Sequence, residues 1–286
     1  MKKYLKLLRI KHYLKNGLIL LPFFCAKELF NIEMWKRVAP GFIAFCLVSS
    51  VIYIINDIKD RDKDRKHPTK KDRPIASGAI SVKKAIVVAA GLLIVGAAFN
   101  FIAFSGWQSW LILGLYFLLN LGYSSGLKNI PIVDICILVS GFFIRVLYGS
   151  CVSGVVISNW MYLTVLMLSF YLGLGKRRNE LAKHKDGETR EVLKFYTHEF
   201  LDKYMHVCLG ITIIFYSLWC VDPTTIANLG NNLIWTIPFV LAICMKYGLD
   251  IESNSDGDPV NVILKDKILL VSGALFAIVF GLLIYL

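Results

Sequence analysis

Long apolar runs alternate with short, strongly charged segments along this chain. The runs lie at about 16–30, 38–55, 82–104, 107–123, 132–152, 158–175, 204–221, 232–247 and 267–286. Most are long enough to cross about 30 Å of hydrocarbon as helices, although the first is short. The pattern predicts an all-α, polytopic membrane bundle of about nine transmembrane helices, a single membrane-embedded domain over 1–286. Residues 1–15, MKKYLKLLRIKHYLK, predict a basic amphipathic helix at the membrane surface, with Tyr4, Leu5, Leu8 and Tyr13 towards lipid. No small-residue cleavage site follows it, so it reads as retained. Ser81 is placed to cap the third span, and Ser105-Gly106 turns into the fourth.

Composition agrees. The 286 residues are 56% hydrophobic, above the roughly 45–50% of soluble domains, and mean hydropathy is +0.60. The net charge of +12 changes the picture through its placement. With the N-terminus in the cytoplasm, the inside segments are 1–15, 56–84, 124–131, 176–203 and 246–267. They hold six, ten, one, eight and three Lys or Arg, 28 of the 32. That asymmetry predicts a protein integral to the cell (inner or plasma) membrane, with cytoplasmic polar segments and the C-terminus outside. Because the basic residues are interrupted by membrane spans, no nucleic-acid partner is expected. The seven Cys sit almost entirely inside apolar runs without CxxC spacing, and read as small core residues. Polar segments gathered on one face suit an enzyme with a cytoplasmic mouth.

The chemistry concentrates in Asn56 to Gly78, NDIKDRDKDRKHPTKKDRPIASG. Asp57, Asp60 and Asp64 recur at i, i+3 and i+7, which places three carboxylates on one face of a helix end. Like charges stacked this way need compensation. Mg²⁺ supplies it when shared between a few carboxylates and substrate phosphates. The interleaved cations, Arg61, Arg65, Lys70 and Arg73 among them, suit phosphate oxygens. The competing reading of the same run is a solvated loop.

Further candidates follow. Tyr123, Lys128 and Asp134 lie in YSSGLKNIPIVD, and read either as an interfacial tyrosine, a topogenic lysine and a helix cap, or as a site; a carboxylate at membrane depth favours function. Arg145 lies about three turns beyond Asp134, so both can face one cavity; it is either a structural partner or a phosphate ligand. Lys176, Arg177 and Glu180 close the sixth span and read as a salt-bridged, headgroup-anchored helix end or as substrate contacts. The five histidines (12, 67, 184, 198 and 206) show no zinc-ligand spacing, although His67 can touch phosphate. No nucleophile elbow or P-loop is present. Asp250, Glu252, Asp256 and Asp258 read as a solvated acidic loop.

Asn56-Asp57, Asp60 and Asp64 match the NDxxDxxxD signature of the UbiA superfamily of intramembrane prenyltransferases, and the chain resembles that family over nearly its whole length. The run DRDKDRKHPTKKDRPIASG, with KHYLKN, YSSGLK and Asp134, GFFIRVLYG and GKRRNEL, resembles the decaprenyl-phosphate phosphoribosyltransferase-like branch. Typical family members carry a second DxxxD where this chain has the single Asp134. The resemblance implies a pentosyltransferase that moves a 5-phosphoribosyl group from phosphoribosyl pyrophosphate to a polyprenyl phosphate lipid, releases pyrophosphate and serves cell-envelope sugar donor synthesis. It implies Mg²⁺ held by Asp57, Asp60 and Asp64 with Asn56 in support, and catalytic work by Asp57, Asp60 and Asp134. Lys15, Lys128 and Arg145 become candidates for the acceptor phosphate, and Lys176 and Arg177 for the ribose 5-phosphate. Asn16, Arg61, Arg65, Lys70, Arg73 and Tyr123 join the implied substrate-binding set.

The first alternative is a family member moving a prenyl group from prenyl diphosphate to an aromatic or lipid acceptor. From another class, a transporter predicts internal repeats with polar residues at the bundle centre, and no clear repeat is visible. Self-association is left open.

Overall fold

A computed structural model describes residues 2–67, 70–104, 106–182, 191–253 and 258–286. Pro68, Ser105, His184 and Asp256 therefore lie outside the described residues. Every regular element among those described is helical. The chain divides into two units, Met1–Phe23, Phe30–Leu127 and Ile144–Val155 in the first, and Phe24–Leu29, Lys128–Phe143 and Val156–Leu286 in the second.

The first unit begins with α1 (Lys2–Leu8), a 3-10 helix (Ile10–Leu20) and the start of α2 (Leu21–Cys25). The single surface helix expected over 1–15 is broken at Arg9, whose φ of 52° is left-handed and cannot continue an α-helix. Tyr4 and Leu5 are exposed as expected. Tyr13 instead turns inward, its hydroxyl 2.7 Å from Ser50 Oγ. α3 (Ile32–Lys59) starts on Asn31, whose side chain accepts the Glu33 and Met34 amides at 3.0 and 3.3 Å. It runs past the expected end at Ile55, so Asn56 and Asp57 are helical. α4 (Arg61–Lys66) follows directly. α5 (Val82–Ala103) is capped by Ser81 Oγ, which accepts the Lys84 amide at 3.4 Å. α6 is Trp107–Ser125 and α7 is Val133–Ser153, the latter shared between the units from Ile144 onward. Ile19, Phe45, Val48, Tyr116, Ile144 and Tyr148 pack into one core. Gly149 lets the 3-10 segment approach, since a Cβ there would lie 2.1 Å from the Ile19 carbonyl oxygen.

In the second unit, α8 (Asn159–Ala182) extends beyond the expected end at Gly175, so Lys176 to Glu180 are helical rather than loop. α9 (His198–Val221) starts on Thr197, whose hydroxyl accepts the Phe200 amide at 3.1 Å. α10 (Pro223–Leu229), α11 (Ile237–Glu252), α12 (Pro259–Lys265) and α13 (Lys267–Tyr285) complete it. Tyr171, Leu174, Leu201, Met205, Tyr247 and Ile251 form its core.

Among the described residues, six helical stretches are long and apolar enough to cross a membrane: α3, α5, α7, α9, α13 and the run 231–252 that contains α11. α5 leaves Ile86, Val87, Ile94, Phe101 and Ile102 exposed, and α13 leaves Ile268, Val271, Ile278 and Leu282 exposed. Such faces are stable only against hydrocarbon, so the protein is an integral membrane protein. α6 and α8 are also long helices. The expected first span, about 16–30, is not one continuous helix. Of the cysteines expected inside, Cys46, Cys208, Cys220 and Cys244 are buried and Cys136 is exposed.

Candidate active site

Among the described residues, each unit carries a dense cluster of charged side chains. In the first, α3 delivers Asp57 to its last turn, and the chain kinks at Asp60 (φ −88°, ψ 5°) before α4. The single helix face expected for three carboxylates is therefore interrupted. Asp60 serves both helices through its backbone, its amide donating to the Asn56 carbonyl at 2.9 Å and its carbonyl accepting the Asp64 amide at 2.8 Å. What the kink brings together is Asp57 and Asp64, both buried. Arg73 Nη1 donates to Asp57 Oδ1 at 3.1 Å and to Asp64 Oδ2 at 2.7 Å. Arg9 Nη2 donates to the same Asp57 Oδ1 at 2.5 Å, and its guanidinium lies 4.9 Å from the centre of the Tyr53 ring. Asp60 is half-buried. Asn56 Oδ1 accepts the Ser124 hydroxyl at 3.1 Å, tying α3 to the last turn of α6.

Of the other basic residues of this segment, Arg65 is exposed and Arg61 and Lys70 are half-buried. Arg61 pairs with Asp62 at 3.1 Å. Arg65 donates to the Ala76 carbonyl at 3.0 Å and lies 3.6 Å from Asp62. Arg61 holds the exposed Asp62 carboxyl below its usual range. The Lys70 amide approaches His67 Nδ1 at 3.4 Å. Lys15 and Tyr123 are half-buried on the 3-10 segment and on α6.

Arg145 is buried in the same unit and already occupied. Its Nε donates to Asn16 Oδ1 at 2.8 Å, its Nη2 donates to Tyr116 OH at 3.0 Å, and its plane lies over Phe45 and Tyr116 at 5.2 and 5.1 Å. Asn16 also donates to Cys46 Sγ at 3.1 Å. These contacts suit the structural one of the two roles open to Arg145 in sequence, tying the 3-10 segment to α6 and α7.

The second unit's cluster centres on Asp134, at the start of α7. Arg177 Nε donates to Asp134 Oδ2 at 2.6 Å, and both side chains are 0% exposed. Arg177 Nη1 also donates to Glu180 Oε2 at 2.6 Å. The Tyr196 hydroxyl donates to Asp134 Oδ1 at 2.6 Å and accepts the Ile132 amide at 2.6 Å. Burial, with the hydrogen bond to Asp134, pushes the Tyr196 phenol well above its ordinary range, so it stays a donor at neutral pH. Ile132 has φ 68°, a left-handed conformation that a β-branched residue rarely adopts. Lys128 is half-buried in a short 3-10 turn. Asp134 and Arg145 lie on one helix and engage different partners.

Nearby, Lys176 lies 3.8 Å from Asp258, and Arg178 pairs with Asp202. Asp250 pairs with Lys246, which also reaches Asp266 at 2.7 Å. Two of the four residues read as a solvated acidic loop are thus tied down: Asp258 also caps α12 by accepting the Val260 amide at 3.1 Å.

Arg9 and Tyr196 were missed in the sequence. Arg9 sits in an amphipathic pattern that reads as surface, and its partner is 48 positions away. Tyr196 sits in a polar stretch, 62 positions from Asp134. No local signal marks either one.

Residues 23–259 match the model of the UbiA prenyltransferase family. The chain belongs to this family. Among its UbiA relatives is a decaprenyl-phosphate phosphoribosyltransferase from Corynebacterium glutamicum, 32% identical, with 93% of this chain and 81% of that protein covered. A decaprenyl-phosphate phosphoribosyltransferase from Mycolicibacterium smegmatis is also 32% identical, covering 93% and 87%. In fold, the chain is similar to a UbiA homolog from Archaeoglobus fulgidus bound to GPP and Mg2+, with a TM-score of 0.72, 20% identity and 99% of each chain covered. This UbiA protein is thus a membrane-embedded transferase.

The first cluster fits a divalent cation by its own geometry. Two buried carboxylates converge on one cationic nitrogen, Arg73 Nη1, and their oxygens are hard donors. Among the described residues no group of three or more acidic, His or Cys side chains converges into a metal cage. Two carboxylates completed by ligand phosphates is a common environment for Mg²⁺.

Proposed function

We propose that this protein transfers a 5-phosphoribosyl group from phosphoribosyl pyrophosphate to a polyprenyl phosphate, with Mg²⁺, releasing pyrophosphate. The observation that carries the reading is the 32% identity, over 93% of the chain, to proteins named decaprenyl-phosphate phosphoribosyltransferase. Two features of the chain support it. One is the carboxylate pair embedded in basic side chains, which suits a polyphosphate. The other is the single Asp134, paired with Arg177, where a second DxxxD would be expected for a prenyl diphosphate donor.

Asp57 and Asp64, with Asp60 and Asn56 in support, would hold the cation beside the donor's diphosphate. When bound, it would neutralise charge developing on the leaving group. Arg9, Arg61, Arg65, Lys70 and Arg73 would bind diphosphate oxygens. Lys15 and Lys128 would hold the acceptor phosphate, which is already ionised at neutral pH and so needs no strong general base. Lys176 would take the ribose 5-phosphate. Asp134, Arg177 and Tyr196 would act together, the ion pair fixing the start of α7 and with it the turn carrying Lys128. We place the N-terminus and the polar segments on the cytoplasmic side.

Purified protein should release pyrophosphate from phosphoribosyl pyrophosphate only when a polyprenyl phosphate and a divalent cation are both present. Turnover of a prenyl diphosphate with an aromatic acid, and none with the ribosyl donor, would move the assignment to the prenyl-transferring alternative. Asp60→Asn should abolish turnover in a protein that still folds, and chelation with EDTA should do so reversibly.

A further inference from the structure

The Asp57–Asp64 pair already holds cations, and they belong to the protein. Arg73 Nη1 sits where the two carboxylates converge, at 3.1 and 2.7 Å, and Arg9 covers the remaining approach to Asp57 Oδ1. The carboxylates are 2% and 4% exposed. Buried so deeply and so close together, they cannot be left uncompensated. A divalent cation entering between these carboxylates would therefore compete with a guanidinium already there.

We propose that Arg9 and Arg73 are resident counter-ions of the Asp57–Asp64 pair, exchanged for a divalent cation only when a polyphosphate gives them new partners. Cation and polyphosphate then bind cooperatively, each lowering the cost of the other's entry. This deepens the functional reading above and rests on it only in taking a divalent cation and a polyphosphate as the ligands.

Three features suit the two arginines to that exchange. Their side chains are more exposed than the carboxylates they serve, 18% and 26%, so the arginines reach solvent where the carboxylates hardly do. A guanidinium matches phosphate oxygens in bidentate geometry as well as it matches carboxylates, so release from Asp57 or Asp64 need not strand the charge. The Tyr53 ring beneath Arg9 offers a resting surface that does not depend on the carboxylate. Arg9 and Arg73 also come from sequence-distant segments, so the pair is guarded from two directions.

The test measures binding of Mn²⁺, followed by its paramagnetic resonance, to detergent-purified protein. Titrations are run with and without pyrophosphate, at controlled free Mn²⁺. Wild-type protein should bind Mn²⁺ about tenfold tighter when pyrophosphate is present, within the usual range of coupling between sites. Pyrophosphate should gain by the same factor from Mn²⁺. Arg73→Met should bind Mn²⁺ alone about tenfold tighter than wild type, bind pyrophosphate more weakly, and lose most of the coupling. Arg9→Gln should shift in the same direction by less. Absence of coupling in the wild type overturns the proposal without any variant. So does Mn²⁺ affinity in either variant, without pyrophosphate, that equals or falls below wild type. Arg9→Gln and the wild-type titration keep the test decisive if Arg73→Met does not fold. Pyrophosphate carries neither sugar nor prenyl chain, so coupling here together with no turnover of the ribosyl donor would sink the functional assignment and leave this inference standing.

Discussion

Two buried arginines show what sequence can and cannot say about a single residue. Arg145 and Arg177 both stand out as cations in or beside apolar runs, and that alone marks each as either structural or ligand-binding. The choice depends on partners far along the chain: Asn16 lies 129 positions from Arg145, and Asp134 lies 43 from Arg177. Neither distance has a periodic signature. Once paired, Arg177 and Asp134 make a testable unit. Removing one member leaves the other buried with only its weaker partner, Glu180 for Arg177 or Tyr196 for Asp134, a cost of up to about 3–5 kcal/mol. Arg177→Met and Asp134→Asn should each lower thermal stability markedly in detergent. The double variant should cost less than the two singles together, with a coupling of about 1–3 kcal/mol. Additive losses would mean that the pair does not act as a unit. Arg145→Lys should also destabilise, by about 1–2 kcal/mol, because the ammonium cannot reach Asn16 and Tyr116 together. Unchanged melting would remove its clamping role.

At the scale of elements, the long helices were legible because apolar runs and caps such as Ser81 are local facts. The breaks were less so. The i, i+3, i+7 spacing of Asp57, Asp60 and Asp64 is a statement about a straight helix, and the kink at Asp60 replaces that face with an Asp57–Asp64 pair held by Arg73. Only the folded chain supplies Arg73 and Arg9. The turn before α7 is a second such case. Nothing in KNIPIVD signals a left-handed isoleucine, and Ile132 is held there by the bond from its amide to Tyr196. A strained residue of this kind costs about 1–3 kcal/mol, and its side chain is 48% exposed, so little packing offsets the strain. Ile132→Gly should therefore stabilise the protein by about 1 kcal/mol, read as a higher melting temperature. Tyr196→Phe should destabilise it, by leaving Asp134 one donor short and freeing the Ile132 amide, about 1–3 kcal/mol. If Ile132→Gly melts lower than wild type, the conformation is not strained.

At the scale of the whole molecule, the open question is how many times the chain crosses the membrane, because parity decides where the C-terminus lies. The first expected span contains too few α-helical residues to cross. It runs instead as a 3-10 helix, which rises about 2.0 Å per residue against 1.5 Å in an α-helix. Its contacts follow α3 in reverse. Arg9 meets Asp57, Tyr13 meets Ser50, Asn16 meets Cys46 and the Phe23 ring packs edge-on against Trp35 at 4.8 Å. Fourteen steps of the N-terminal segment thus keep pace with 22 steps of α3, a stretch of about 33 Å at α-helical rise and enough for the hydrocarbon. The short run is therefore predicted to cross beside α3 despite its length in residues. We propose nine crossings, this run and α6 and α8 counted with the six most apolar stretches, an odd number that would put the ends of the chain on opposite sides. The concentration of 28 of the 32 Lys and Arg in five segments predicts a cytoplasmic N-terminus. Reporters that are active on only one side of the membrane, fused in turn to each end, should then give a cytoplasmic N-terminus and an external C-terminus. Both ends reporting from the cytoplasm would mean an even number of crossings, and would return the 3-10 segment to the membrane surface.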